Sequence, residues 1–153
     1  MPERVVITDT SCLIALTRID SLMVLKELYQ EIFITDEIAK EFGEPLPDWM
    51  VIARIKNHRF QLFLSEVLDI GEASAIALGL EFEGCTLILD DLKGRKEAEK
   101  LGLRFTGTLG VLFKAKQLGV IPELKPCLDQ LMKAGFRIAK PLVEELLKRC
   151  DEL

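Results

Sequence analysis

The sequence predicts an α/β fold, a three-layer αβα sandwich with a central, mainly parallel sheet. Short β-branched apolar runs alternate with helical patterns almost from the first residue, and this alternation is typical of parallel sheets covered by helices on both faces. The length of 153 residues suits one α/β domain, residues 1–153. The contents of 49% apolar and 29% charged residues favour a folded chain over a disordered one.

The first elements are two strands with helices between them. Residues 5–8 form an apolar run that predicts a buried strand. Ser11 is placed to cap a short helix through Thr17, and Ser21 is placed to cap a second helix with leucines on one side. Residues 32–35 predict the second strand.

The middle of the chain predicts further helices around a less clear segment. A helix from Asp36 to Phe42 ends at a cluster of glycine and prolines. We expect another helix over residues 48–56 and a strand over residues 60–64. Residues 71–80 predict an alanine-rich helix with the acid Glu72 in its first turn.

The strongest strand pattern lies at residues 86–89, between Gly84 and the pair Asp90-Asp91. We expect a helix over residues 92–100, a short strand over 103–106 and a helix over 108–118. Two more helices complete the chain over residues 121–153, with Pro122 and Pro141 suited to first-turn positions.

The cysteines and the single histidine narrow the chemistry. The four cysteines are widely spaced with no C-x-x-C pair, which disfavours structural zinc and fits small buried side chains. A nucleophilic triad would have to use His58, in a polar and basic stretch. The apolar runs are too short to span a bilayer, and the first residues lack a signal-peptide core, so we expect a cytoplasmic protein without membrane contact.

The net charge of −5 is unevenly spread. Residues 92–118 contain seven basic and two acidic residues, a local balance of +5, so the remainder carries −10. A metal-dependent phosphodiesterase needs both signs, since phosphate attracts lysine and arginine while the metal requires carboxylates. The basic residues also fit a simple solvated helix face.

Acidic residues stand where a parallel sheet would bring them together. Asp9 and the pair Asp90-Asp91 directly follow predicted strands, and open parallel sheets bind ligands beyond the carboxyl ends of their strands. Each aspartate could instead cap the next helix. Glu41 and Glu72 belong to helices, where a solvated face or compensation of the helix dipole is the alternative. Clustered carboxylates without histidine or thiolate favour Mg²⁺ or Mn²⁺.

Four segments resemble the PIN-domain family, and the resemblance covers roughly residues 4–120. Residues 7–14, ITDTSCLI, are similar to its opening strand, with the first catalytic aspartate at Asp9 and a serine two positions later. Residues 34–42, ITDEIAKEF, are similar to the segment that carries the second acid, here Glu41. Residues 71–79 place Glu72 where many members have aspartate. Residues 87–112 resemble a prokaryotic PIN-like subfamily described as nucleic-acid-binding proteins.

The resemblance implies an Mg²⁺- or Mn²⁺-dependent ribonuclease that hydrolyses single-stranded RNA. Asp9, Glu72 and Asp90 or Asp91 would hold the metal, with Glu41 completing the catalytic acids. Ser11 or Thr108 would position a water or phosphate, and the RNA backbone would meet Lys93, Arg95 and Lys96. Relatives of this size often resemble toxins of toxin-antitoxin pairs, which implies a possible small antitoxin partner and a homodimer.

Two other functions stay open. A phosphoryl-transfer domain with an aspartyl nucleophile needs D-x-D after its strand, but here Ser11 stands at the second position. A non-catalytic RNA- or protein-binding module remains the alternative to the enzyme, because metal-site carboxylates can persist in a chain whose task is binding.

Overall fold

The computed structural model describes residues 5–153, and residues 1–4 of the expected domain lie outside the described part. In the described residues, five strands form one parallel sheet with helices on both faces, which confirms the three-layer α/β prediction. The strands are β1 (Val6–Thr8), β2 (Ile32–Ile34), β3 (Met50–Ile52), β4 (Thr86–Ile88) and β5 (Arg104–Thr106). The helices are α1 (Thr10–Arg18), α2 (Met23–Tyr29), α3 (Asp36–Phe42), α4 (His58–Leu64), α5 (Ile70–Gly79), α6 (Leu92–Lys100), α7 (Thr108–Gln117), α8 (Lys125–Lys133) and α9 (Lys140–Arg149).

The strand order is β3-β2-β1-β4-β5. In register, Ile7 of β1 lies between Phe33 of β2 and Leu87 of β4. The chain adds β2 and β3 on one side of β1 and then returns to its other side for β4 and β5. The winding therefore reverses between β1 and β4, and such a reversal opens a crevice at the carboxyl ends of the strands where ligands bind.

The core lies between the sheet and the helices that cover it. Helix α5 is buried from Gly71 to Gly79 and contacts β1, β4 and helices α3, α4 and α6. Its alanines allow this close approach, because a small side chain lets a helix backbone come near its neighbours. The central position of α5 brings its first turn, with Glu72, to the carboxyl edge of the sheet.

Two predicted elements were wrong. The expected helix over residues 48–56 is instead the edge strand β3, because Met50, Val51 and Ile52 pair with β2 and tertiary pairing overrides weak local preference. The expected strand over residues 60–64 is part of α4. Asn57 caps that helix by accepting from Phe60 N at 3.2 Å, and the buried residues Gln61 and Leu64 follow helical spacing.

Several expected helix caps were also wrong. Asp9, rather than Ser11, caps α1, and α2 has no side-chain cap from Ser21. Pro141 does lie in the first turn of α9, but Pro126 rather than Pro122 has that position in α8.

The C-terminal helices are tied to the rest of the protein by Glu152. Its carboxylate accepts from Leu124 N and Lys125 N, both at 2.8 Å, and lies 3.8 Å from Lys116 Nζ. The end of the chain therefore holds the start of α8 beside α7. Within residues 5–153, none of the helices combines the length and apolar character that crossing a membrane requires.

Candidate active site

Asp9 and Asp90 lie at the reversal of winding. Asp9 follows β1, and Asp90 comes two residues after β4. The backbone pairing of these strands continues to the edge, because Asp9 N donates to Ile88 O at 3.0 Å. The two carboxylates therefore lie just beyond the carboxyl ends of neighbouring strands, at the edge where parallel sheets place their ligand sites.

Asp9 is a buried acid whose proton is held tightly. Its side chain is only 6% exposed and accepts from Thr10 N at 2.7 Å. Its pKa is raised from 3.8 to about 7, mainly by burial and against the lowering effect of the Thr10 bond. The charges of Asp69, Glu41 and Asp90 contribute to this rise, so these acids lie within electrostatic reach of Asp9.

Glu72 is buried like Asp9, but its carboxylate is not fully hydrogen-bonded among the described residues. It is 5% exposed, and its Oε2 has no hydrogen-bond partner in the described structure. Burial, followed by a hydrogen bond to the Asp69 carboxylate and the charges of Asp69, Asp9 and Asp91, raises the pKa of Glu72 from 4.5 to about 9. A buried polar atom without a partner is costly, so Glu72 Oε2 is a candidate ligand atom for a cation.

The Glu72 carboxylate is pressed between two helices. A methyl group at Gly94 in α6 would lie 2.7 Å from Glu72 Oε2. Glycine at this position lets the carboxylate fit between α5 and α6, whereas any side chain would displace it.

Glu41 reaches the same edge from the last turn of α3. Its Oε1 accepts from Thr10 Oγ1 at 2.9 Å, so the residue next to Asp9 holds it. Unlike Asp9 and Glu72, Glu41 is exposed. Its carboxylate packs against Gly71 at the start of α5.

The adjacent aspartates after β4 have different tasks. Asp90 accepts from Thr108 N at 2.7 Å, from Thr108 Oγ1 at 2.6 Å and from Ser11 Oγ at 3.2 Å. Asp91 caps α6 by accepting from Lys93 N at 3.1 Å and Gly94 N at 3.4 Å. Asp90 therefore joins the edge next to Asp9, whereas the carboxylate of Asp91 is used at the start of a helix. Ser11 and Thr108 orient Asp90 directly.

The three basic residues that the sequence predicts to bind RNA differ in their exposure to solvent. Lys93 and Lys96 are exposed on α6. Arg95 is half-buried: its Nε donates to Leu89 O at 2.7 Å, and its guanidinium lies 5.5 Å from the centre of the Phe105 ring. Arg95 thus fixes the loop that carries Asp90.

Sequence reasoning missed Asp69 and Thr10. Asp69 caps α5 by accepting from Glu72 N at 2.9 Å and acts on the pKa values of both buried acids. The signal was available, because an acid three residues before Glu72 forms the pattern of a capping box. Thr10 stood beside Asp9, but nothing local indicated its hydrogen bond to Glu41 across the fold.

The donor set fits a hard divalent cation, although it is not arranged around one. Within residues 5–153, no three His, Cys, Asp or Glu side chains form a group ready to hold a metal ion. Asp90, Glu41 and Asp91 are each held by hydroxyl or backbone donors. Carboxylate oxygens are the ligands that Mg²⁺ and Mn²⁺ prefer, and a cation would satisfy Glu72 Oε2. A carboxylate has about four lone-pair sites, so these side chains can keep hydrogen-bond donors while they ligate a cation.

A family model described as a PIN domain matches residues 5–152. The match includes α8 and α9, which lie beyond the motifs at residues 4–120. Comparisons with curated proteins and with solved structures found no match.

Proposed function

We propose that this chain, which belongs to the PIN-domain family, is a divalent-metal-dependent endoribonuclease that hydrolyses phosphodiester bonds of single-stranded RNA. The observation that carries the proposal is the pair of buried acids at the reversal of winding. Asp9 and Glu72 have pKa values raised to about 7 and about 9. Buried carboxylates destabilise the fold when they ionise unless a cation neutralises them. Side chains in a crevice with strongly shifted pKa values are also typical of functional sites.

We assign Asp9, Glu72 and Asp90 as the residues that hold Mg²⁺ or Mn²⁺. When bound, such an ion supplies Lewis acidity that activates water and neutralises charge developing on the phosphate. Glu41 adds negative charge beside Asp9 through its Thr10 contact. Ser11 and Thr108 orient Asp90, and Asp91 acts as a helix cap instead of a ligand.

The RNA backbone would lie along the start of α6. Lys93 and Lys96 extend into solvent next to the loop that carries Asp90, where they can contact phosphates on either side of the scissile one. Arg95 positions this loop through Leu89 O and Phe105. Changing Lys93 and Lys96 to alanine should therefore weaken RNA binding and flatten its salt dependence.

The test is cleavage of a mixed RNA pool by purified protein in Mn²⁺, Mg²⁺ and EDTA. Wild type should cleave in either metal and not in EDTA, and Asp9→Asn should lose at least about 100-fold in rate because it removes a charged ligand. Asp129→Asn, at an exposed position of α8, is the matched control and should cleave normally. Equal cleavage by wild type and Asp9→Asn would reject the assignment. RNA binding without cleavage would favour a non-catalytic RNA- or protein-binding module.

We also propose that the protein acts in the cytoplasm as a homodimer, with a small antitoxin protein as a further partner. The homodimer is supported by four exposed apolar side chains that lie close together in sequence, on and next to α4, because exposed apolar patches mark protein interfaces. They are Leu62, Phe63, Val67 and Ile70. Light scattering should give a dimer for the wild type and a monomer for Phe63→Asp, and a monomeric wild type would reject the dimer.

A further inference from the structure

A cavity of about 610 Å³ lies beside Asp90 and is lined in part by residues of the C-terminal helices. From the sheet edge it is lined by Asp90, Arg95 and Phe105. From the segment between α8 and α9 it is lined by Phe136 and Arg137, with Leu142 of α9 completing the wall. The cavity thus joins the candidate active site to the part of the chain that the proposed chemistry leaves without a role.

The lining contains the rings of Phe105 and Phe136 and the guanidinium groups of Arg95 and Arg137. Arg95 lies over the Phe105 ring at 5.5 Å, and Arg18 of α1 lies over the Phe136 ring at 6.0 Å. Arg18 Nη1 also donates to Ala134 O at 3.5 Å, which fixes the segment that carries Phe136. Both rings are therefore held in place by arginines.

Two features of the cavity limit what it can hold. Its volume lies in the range of roughly 300–1,000 Å³ typical of small-molecule sites, so it suits a group the size of one nucleotide. Its lining is mainly apolar and includes the rings of Phe105 and Phe136, so it suits the flat face of a single base that has left its stack.

We propose that this cavity binds one unpaired nucleobase of the RNA next to the scissile phosphate, an inference that rests on the proposed ribonuclease function. Bases splayed out of single strands stack on aromatic rings and guanidinium planes, and both are present here. Asp90 lines the cavity, so a nucleotide seated there can place its phosphate at the candidate active site. Arg137, which is exposed at the rim, contacts a backbone phosphate.

The experiment measures binding of a labelled nine-nucleotide single-stranded RNA and of a series in which each position in turn is abasic. Binding is measured in EDTA, which suppresses cleavage. For the wild type, removing the base at one position should weaken binding about 5- to 150-fold, as expected for one stacked base. Phe136→Ala should bind intact and abasic RNA within about twofold of each other. Phe136→Leu should also bind intact and abasic RNA within about twofold of each other. Because leucine keeps an apolar side chain in place, this variant controls for unfolding of Phe136→Ala.

The matched controls are Phe82→Ala and Arg149→Ala. Phe82 is half-buried like Phe136 but packs on Phe33, away from the cavity, so its loss should leave the abasic effect intact. Arg137→Ala should weaken intact and abasic RNA by the same factor, and Arg149→Ala, which removes the same charge from α9, should change neither.

Cleavage of the same RNAs in Mn²⁺ separates this inference from the proposed function. A position-specific abasic effect that depends on Phe136, without any cleavage, supports the base pocket and rejects the nuclease. Cleavage together with binding that no abasic position weakens rejects the base pocket. The cavity would then be assigned to a side chain of a partner protein. Wild type that does not bind the RNA, or a Phe136 variant that weakens intact and abasic RNA equally, also overturns the base pocket.

Discussion

Near neutral pH the metal-free protein keeps Asp9, with a pKa of about 7, partly protonated and Glu72, with a pKa of about 9, largely protonated. Burial dominates both pKa values, and neighbouring carboxylates add to it. Ionising them by raising the pH places two negative charges inside the fold, where water cannot stabilise them. A divalent cation would reverse this preference, because it favours the charged forms.

The free energy of unfolding of the metal-free protein should therefore fall as pH rises. The folded pKa of Asp9 is about 7 against an ordinary value of 3.8. Between these values the folded state holds a proton that the unfolded state has lost, so stability present at pH 4 is lost as pH rises towards 7. Glu72 extends the loss towards pH 9. Each group contributes up to about 1.4 kcal/mol per pH unit.

Urea unfolding in EDTA measures this effect. At pH 8, Asp9→Asn should be more stable than the wild type by about 1–3 kcal/mol, because it removes the buried charge and keeps an acceptor for Thr10 N. The two proteins should converge at pH 4, and Asp129→Asn should follow the wild type throughout. A wild type that gains stability from pH 5 to 8 would contradict the burial argument.

Gly94 provides a second prediction for single residues. Alanine at a helix interior ordinarily stabilises by about 1 kcal/mol relative to glycine, but a methyl group at Gly94 would lie 2.7 Å from Glu72 Oε2. Because Glu72 is buried, it has little room to move, so Gly94→Ala should lower Mn²⁺ affinity and RNA cleavage at least about tenfold. Isothermal titration calorimetry and the cleavage assay measure both effects.

Gly71→Ala is the matched control. Gly71 also contacts a carboxylate, that of Glu41, but Glu41 is exposed and can swing into solvent. Gly71→Ala should therefore keep most of the Mn²⁺ affinity. Equal loss in both variants would mean that the confinement of Glu72 is not what matters.

The positions of the main acids were accessible from sequence, but their partners were not. Asp9 and Asp90 follow strands, and the parallel topology alone places them on one edge. Thr108, 18 residues after Asp90, decides which of Asp90 and Asp91 lies beside Asp9. Its backbone N and its hydroxyl both donate to the Asp90 carboxylate. A pattern of residues along the chain contains no information on such a hydrogen bond.

At the scale of elements, a buried hydroxyl pair fixes α3 against α5. Thr35 caps α3 by accepting from Ile38 N at 3.1 Å, and its Oγ1 lies 2.7 Å from Ser74 Oγ of α5. These helices carry Glu41 and Glu72, so the pair helps to set the spacing between two of the candidate acids.

Thr35→Val should therefore destabilise the protein by about 1–3 kcal/mol, since a cap contributes about 1 kcal/mol and a buried hydrogen bond a similar amount. Valine matches threonine in size, so no cavity forms. Urea unfolding gives the change, with Thr17→Val at an exposed position of α1 as the control. A loss no larger than that of Thr17→Val would show that the pair does not brace the two helices.

Sequence patterns identified the strands that carry the candidate site more reliably than those at its margin. β1 and β4 are short apolar runs followed by aspartate, and both were predicted. β3 and α4 were assigned the wrong type, because the segment around Met50 becomes a strand only by pairing with β2. The apolar run from Phe60 to Leu64 does not distinguish a strand from a helix by itself.

For the whole molecule, the order of the strands determines where the acids meet. Winding reverses between β1 and β4, and α5 packs against both strands. Asp9 and Asp90, which are 81 positions apart in the sequence, therefore lie on one edge of the sheet. The C-terminal helices complete the crevice on one side, held by Glu152 at the start of α8. The basic start of α6 lies next to it, so the acids that we propose hold a cation lie beside the residues that we propose contact RNA.

The most direct test of this account is anomalous X-ray scattering from crystals of wild type and Asp9→Asn soaked in Mn²⁺. The account predicts an anomalous peak in the wild type within roughly 2.0 to 2.6 Å of carboxylate oxygens of Asp9 and Glu72, with Asp90 beside it, and no such peak in Asp9→Asn. Manganese bound only elsewhere, or bound equally in both proteins, would contradict the assignment of this edge of the sheet as the metal centre.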